Sequence, residues 1–240
     1  MQEITNFAVG AIIGFGLAWT LENWVQNFFS RFSIAKPEGD VFANDDKSLI
    51  PISRWGIFIG MSISNAALSV WRQWDPELLN DLIFVTVIVG IAWIDRKTML
   101  IDGRLIALAL GLRLLWVSFF APHQILNSLT GFVTGAGILY FVGFLYVTFR
   151  HRQGLGEGDP AVLGLIGFWV GWHGLGAVLL IAALSGIFFG GFSLLIQRKT
   201  NQKILDILQT PIPFAPFLCL GGLIVYFLQE TGYFVTSFGF

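Results

Sequence analysis

The sequence predicts an all-α membrane protein, a polytopic helical bundle of about eight transmembrane segments with both termini outside. It reads as one integral membrane domain over residues 1–240. Three observations carry this. Hydrophobic residues make up 55% of the chain, charged residues only 12%, and mean hydropathy is +0.73, a composition far from that of a soluble domain. The apolar residues gather into eight runs, at about 6–26, 55–71, 78–95, 101–120, 125–149, 160–172, 174–196 and 212–229. Finally, if successive loops alternate sides, 12 of the 14 basic residues fall on one side. Basic loops mark the cytoplasmic face.

Helix is the expected state of every run, because a helix satisfies its own backbone polar groups where no water is present. The first run follows Met1-Gln2-Glu3, without a basic leader or a small-residue cleavage site. It reads as a retained span and not a removed signal. A polar loop of mixed charge follows at about 30–54 and contains no cysteine or histidine. The basic side holds Arg31, Lys36, Lys47 and Arg54, then Arg96, Lys97 and Arg104, then Arg150 and Arg152, then Arg198, Lys199 and Lys203. Arg72 alone lies opposite, and Arg113 falls inside the fourth run, paired or reaching toward an interface. The sixth run, 160–172, is short, and its boundary with the seventh is set at His173-Gly174.

Glycine pairs four residues apart, Gly10/Gly14, Gly131/Gly135, Gly167/Gly171 and Gly186/Gly190, fit close helix packing. Most tryptophans fall near run ends, as interface anchors do. A net charge of −1 gives no indication of nucleic acid. The single cysteine, Cys219, excludes an intrachain disulfide and a multi-cysteine zinc site. His123, His151 and His173 lie in loops on different sides, which argues against a three-histidine metal site.

The chemistry concentrates at Gly154-Leu155-Gly156-Glu157-Gly158-Asp159-Pro160. An acid at the mouth of an apolar run is costly and tends to mark function. Two roles are open for Asp159: an N-cap with Pro160 at the first helical position, or a catalytic acid. A second acid, Asp95, closes the third run in Ile94-Asp95-Arg96-Lys97, where an ordinary interfacial ion pair is the competing reading. The topology sets both acids at the cytoplasmic ends of their helices. Asp95 sits at a C-terminus, where the helix dipole disfavours an anion, and Asp159 at an N-terminus, where it favours one. If they meet, one carboxyl holds a proton while the other is ionised, the division of labour of aspartic proteases.

The three glycines shift the balance toward chemistry, since a cap needs none and a loop admitting a substrate backbone benefits from Gly156 and Gly158. Asp102 is seven residues beyond Asp95, about 10 Å along any shared helix, too far for a proton-sharing pair. Asp102 and Glu157 read either as solvated cytoplasmic acids or as groups that tune the site.

These residues resemble the type IV prepilin peptidase family of membrane aspartic proteases with a Gly-x-Gly-Asp motif. The stretch from Gly154 through Asp159 to Gly167-Phe-Trp-Val-Gly-Trp172 resembles its second aspartate region, and Ile94-Asp95 with Ile101 its first. Pro211-Ile-Pro-Phe-Ala-Pro-Phe217 is similar to an Ile-Pro-Phe-Gly-Pro segment before the last span, and Ile50-Pro-Ile-Ser-Arg-Trp55 is faintly similar to the entry of the second. The resemblance implies Asp95 and Asp159 as the catalytic pair and type IV prepilins or pseudopilins as substrates. It implies cleavage of their basic leader at the cytoplasmic edge of a bacterial inner membrane. Glu157 and Asp102 then gain an electrostatic role toward that leader.

The chain departs from the family in several places. A larger insertion with two Cys-x-x-Cys pairs is reduced to residues 30–54, which excludes that zinc site. N-methylation with S-adenosylmethionine is left open, and no other cofactor is implied. Asp102-Gly103 stands for a Pro-Asp, Ala161 for a lysine, and the first run lacks a Gly-Ser-Phe-Leu-Asn stretch. The alternatives are a presenilin-like Gly-x-Gly-Asp protease, a proton- or cation-coupled transporter, and an inactive relative acting as a scaffold.

Overall fold

The computed structural model describes residues 2–34, 54–73, 75–150, 156–197 and 213–232. Most of the 30–54 loop, His151, Gly154 and Leu155, and Pro211-Ile212 lie outside the described residues. The elements in order are α1 (Gln2–Ile34), α2 (Arg54–Arg72), α3 (Glu77–Thr98), α4 (Gly103–Phe120), a 3₁₀ turn (Pro122–Gln124), α5 (Ile125–Arg150), α6 (Asp159–Gln197) and α7 (Ala215–Glu230). No strand occurs among the described residues. Five of the described helices, α1, α3, α4, α5 and α6, are long and apolar enough to cross a membrane, and α7 is a shorter apolar helix. α1 runs to Ile34, past the loop start expected near residue 30. A helix keeps its backbone bonds beyond the apolar run, so the end of hydrophobicity did not end it.

The chain forms two compact units, Met1–Thr86 and Val87–Phe240. In the first, α1 lies against α2 along a stripe of small residues. A Cβ at Gly10 would stand 2.4 Å from Ser69 Oγ, and one at Gly14 would stand 2.6 Å from the Met61 carbonyl. Only glycine lets these helices approach so closely. The opposite face of α1 presents Ile4, Ile12 and Trp19 outward, as suits a helix bathed in lipid. Arg72 at the end of α2 pairs with Glu77 and, at 2.8 Å, with the fully buried Asp81.

In the second unit α5 packs antiparallel to the first part of α6. A Cβ at Gly131 would stand 2.0 Å from the Gly167 carbonyl oxygen, and one at Gly135 would stand 2.6 Å from the Leu163 carbonyl oxygen. α6 is not one rod. Gly171 adopts φ 74°, ψ 171°, outside helical space. The adjacent residues Gly221 and Gly222 of α7 approach Val178 and Ile166 respectively. Twelve residues of continuous helix would separate Ile166 from Val178 by about 18 Å, so the chain reverses at Gly171.

The turn thus falls two residues before the boundary expected at His173-Gly174, because Gly171 supplies the positive φ that a bulkier residue resists. A Cβ there would also meet Asn127 Nδ2 at 2.5 Å. The Val170 carbonyl released at the break accepts from Gln229 Nε2 of α7 at 3.1 Å. α7 therefore runs alongside the first part of α6 in the same direction, which sets its N-terminus near Asp159.

Arg113 is buried, with its guanidinium over the rings of Trp116 and Trp169 at 5.0 and 5.5 Å. It also donates to Gln124 Oε1 at 3.4 Å. The partners of this intramembrane arginine thus include two π-faces and an amide.

Candidate active site

Asp95 lies on the last turn of α3, and Asp159 opens α6. Both side chains are buried, Asp95 at 5% and Asp159 at 4% exposure, although each stands at a helix end. The two carboxyls lie within electrostatic range of each other. Two acids 64 positions apart in sequence are therefore brought into one region.

Local chemistry explains each placement. Asp159 does not serve as the N-cap. The first free N–H groups of α6, those of Ala161 and Val162, donate to the Gly158 carbonyl at 3.0 and 3.1 Å. The Asp159 carboxylate turns back instead and accepts from the Gly156 N–H through Oδ2 at 3.1 Å. Of the two sequence roles, capping is thus taken by Gly158, which leaves the acid available for chemistry.

Gly156 must lack a side chain, since its Cβ would stand 2.9 Å from Asp159 Oδ2. Gly158 must lack one for another reason. The side chain of Ile101 occupies that space, 2.6 Å from where a Cβ would stand. That space is filled by a residue of the chain itself.

Asp95 finds its partner on α7. Its carboxyl accepts from the backbone N–H of Ala215, at the first turn of a helix whose N-cap residue, Phe214, offers no side-chain acceptor. The donor-rich end of α7 so offsets the unfavourable end of Asp95's own helix dipole. Asp95 Oδ2 is buried and makes no hydrogen bond among the described residues. One turn into α7, the buried Cys219 thiol lies within electrostatic range of both carboxyls and beside the Ala92 backbone. Ala215 and Cys219 were not singled out as site residues from sequence. Pro216 marks a helix start there, but nothing local points to Ala215 or Cys219 themselves.

The remaining acids separate from the pair in role. Asp102 is buried and not solvated. It caps α4 by accepting from the Arg104 N–H at 2.9 Å. Glu157 is exposed on the loop beside Asp159. Among the described residues no group of three or more histidine, cysteine, aspartate or glutamate residues is arranged to hold a metal ion. His123 and His173 are both exposed.

Two carboxyls buried together at a helix-end junction, one presenting an unoccupied lone pair, define an acid pair suited to activating a water against a carbonyl. Comparison with known proteins agrees with that class. Residues 82–191, which contain both aspartates, match the type IV leader peptidase family, and this part of the chain belongs to it.

Over 173 residues the chain is 31% identical to a prepilin leader peptidase/N-methyltransferase of Legionella pneumophila, covering 68% of this chain and 56% of that protein. It is 32% identical over 142 residues to the protein of the same name from Escherichia coli K12, covering 59% and 60%. It is 32% identical over 162 residues to that of Aeromonas hydrophila, covering 67% and 53%. The chain thus spans little more than half the length of these relatives. No solved structure matches it.

Proposed function

We propose that the chain is a membrane-embedded aspartic endopeptidase that removes the basic leader from type IV prepilins or pseudopilins. The observation that carries this reading is the burial of Asp95 and Asp159 together at one helix-end junction. The ionised carboxyl takes a proton from water as the water oxygen attacks the scissile carbonyl carbon. The protonated carboxyl donates to the carbonyl oxygen. Collapse of the tetrahedral intermediate breaks the C–N bond, and the departing amine takes up a proton. Buried surroundings strengthen each of these interactions relative to water. The unpartnered Oδ2 of Asp95 is the position where water or the carbonyl oxygen docks.

In this reading the chain is one integral membrane domain of about eight spans in a bacterial inner membrane. Both termini lie outside, and the 30–54 loop lies in the cytoplasm. Cleavage then falls at the cytoplasmic membrane edge, with the exposed Glu157 facing the basic leader. The peptidase step takes no metal and no cofactor. S-adenosylmethionine enters only if methyl transfer accompanies cleavage.

The test is mass spectrometry of a co-expressed cognate prepilin in membranes with wild type, Asp95→Asn and Asp159→Asn. Loss of the leader with wild type alone supports the acid pair, and an added methyl mass supports the transferase. An intact leader with wild type sinks the peptidase reading in favour of a transporter or an inactive scaffold.

A further inference from the structure

The connection between the two aspartates can be followed atom by atom. α3 ends as the Met99 N–H donates to the Asp95 carbonyl at 2.7 Å. Met99 adopts φ 53°, a left-handed conformation unusual for a side chain of its size. That turn directs the chain to Ile101, and Asp102 then pins it by capping α4. Between these two fixed points Ile101 inserts against Gly158. Three atoms of its side chain, Cδ1, Cβ and Cγ1, lie 2.6, 2.7 and 2.9 Å from where a Gly158 Cβ would stand. Gly158 in turn accepts the first two N–H bonds of α6 and precedes Asp159 directly. A displacement of Ile101 is therefore transmitted to Asp159 through one peptide bond and to Asp95 through the turn at Met99.

We propose that Ile101 is a positioning residue, whose side chain occupies the missing-Cβ space of Gly158 and sets the separation of the Asp95 and Asp159 carboxyls. The contact is stiff by construction. A β-branched side chain has little freedom at χ1, and because the Ile101 Cβ itself is in close approach, no rotamer change relieves a clash. Small displacements matter here, since a misplacement of 1 Å at reacting groups can cost about a hundredfold in rate.

The inference rests on the peptidase reading for its kinetic consequence, and the test separates the two. Gly158→Ala, Ile101→Gly and the double variant are purified in detergent and assayed on a prepilin, with kcat and KM determined separately and thermal melting recorded in parallel. Gly158→Ala is expected to lower kcat at least tenfold with KM nearly unchanged. Adding Ile101→Gly, which removes all three crowding atoms, should restore most of that loss, and Ile101→Val alone should keep most of the activity. The melting shifts of the two single variants should not sum to that of the pair.

A double variant no faster than Gly158→Ala, or a kcat loss that tracks only the unfolded fraction, overturns the proposal. A wild type inert on its cognate prepilin strikes the peptidase reading instead. The Ile101–Gly158 contact is then decided by the melting cycle, where additive shifts refute it.

Discussion

Gly131→Ala is the sharpest probe of how the fold holds Asp159. The new Cβ would stand 2.0 Å from the Gly167 carbonyl oxygen, 2.8 Å from its carbon and 2.9 Å from the Gly171 Cα. All three are backbone atoms, so no side chain can rotate away. Reaching the 3.4 Å at which ordinary contact begins requires α5 and α6 to part by about 1.4 Å along that line. Overpacking of this kind costs about 1–3 kcal/mol, and a rigid backbone contact belongs at the upper end. Each 1.4 kcal/mol is about tenfold in an equilibrium constant, so the folded-to-unfolded ratio should fall by roughly two orders of magnitude.

Gly137→Ala is the matched control on the same helix, since nothing lies within 4 Å of its would-be Cβ. The assay is reversible unfolding of the detergent-solubilised protein by titrated denaturing detergent, followed by tryptophan fluorescence. Gly131→Ala should unfold far earlier, and Gly137→Ala should match wild type or exceed it slightly. Equal behaviour of the two variants would refute the reasoning that backbone approach at Gly131, and not glycine as such, carries the packing.

Two further predictions concern buried polar contacts. Arg72→Leu leaves the fully buried Asp81 without its 2.8 Å partner. The expected loss is about 3–5 kcal/mol, largely recovered by the double variant Arg72→Leu/Asp81→Leu, and equal losses in single and double variants count against the pairing. Gln229→Leu removes the donor to the Val170 carbonyl at the α6 reversal. A loss of about 1 kcal/mol should lower the melting temperature by about 2–4 °C, and an unchanged melting temperature argues that the released carbonyl needs no such donor.

The linear chain determined a good deal. A composition of 55% hydrophobic residues leaves helices as the solution in lipid, because unsatisfied backbone groups there are prohibitively costly. The same cost made Asp95 and Asp159 conspicuous, since an acid beside an apolar run is rarely idle. Glycine spacing marked the α1–α2 and α5–α6 contacts, because the absence of a Cβ is itself encoded in the residue. At Gly186 the would-be Cβ makes an ordinary contact with the Phe217 ring at 3.7 Å. Spacing states where a helix can be approached closely but not whether a partner arrives.

Tertiary structure alone decided the rest. Nothing local distinguishes Ala215 from any other helix-start alanine, yet its N–H meets Asp95 because α7 runs beside α6 after the reversal at Gly171. Asp102 read either as a solvated acid or as a group tuning the site, whereas the fold buries it as the cap of α4. Asp159 fitted the pattern of an N-cap, yet the Gly158 carbonyl accepts the first helical N–H bonds and Ile101 fills the missing-Cβ space of Gly158. Each of these depends on contacts between residues distant in sequence or separated by a turn. A local pattern fixes which backbone groups need partners, and only the assembled helices decide which groups supply them.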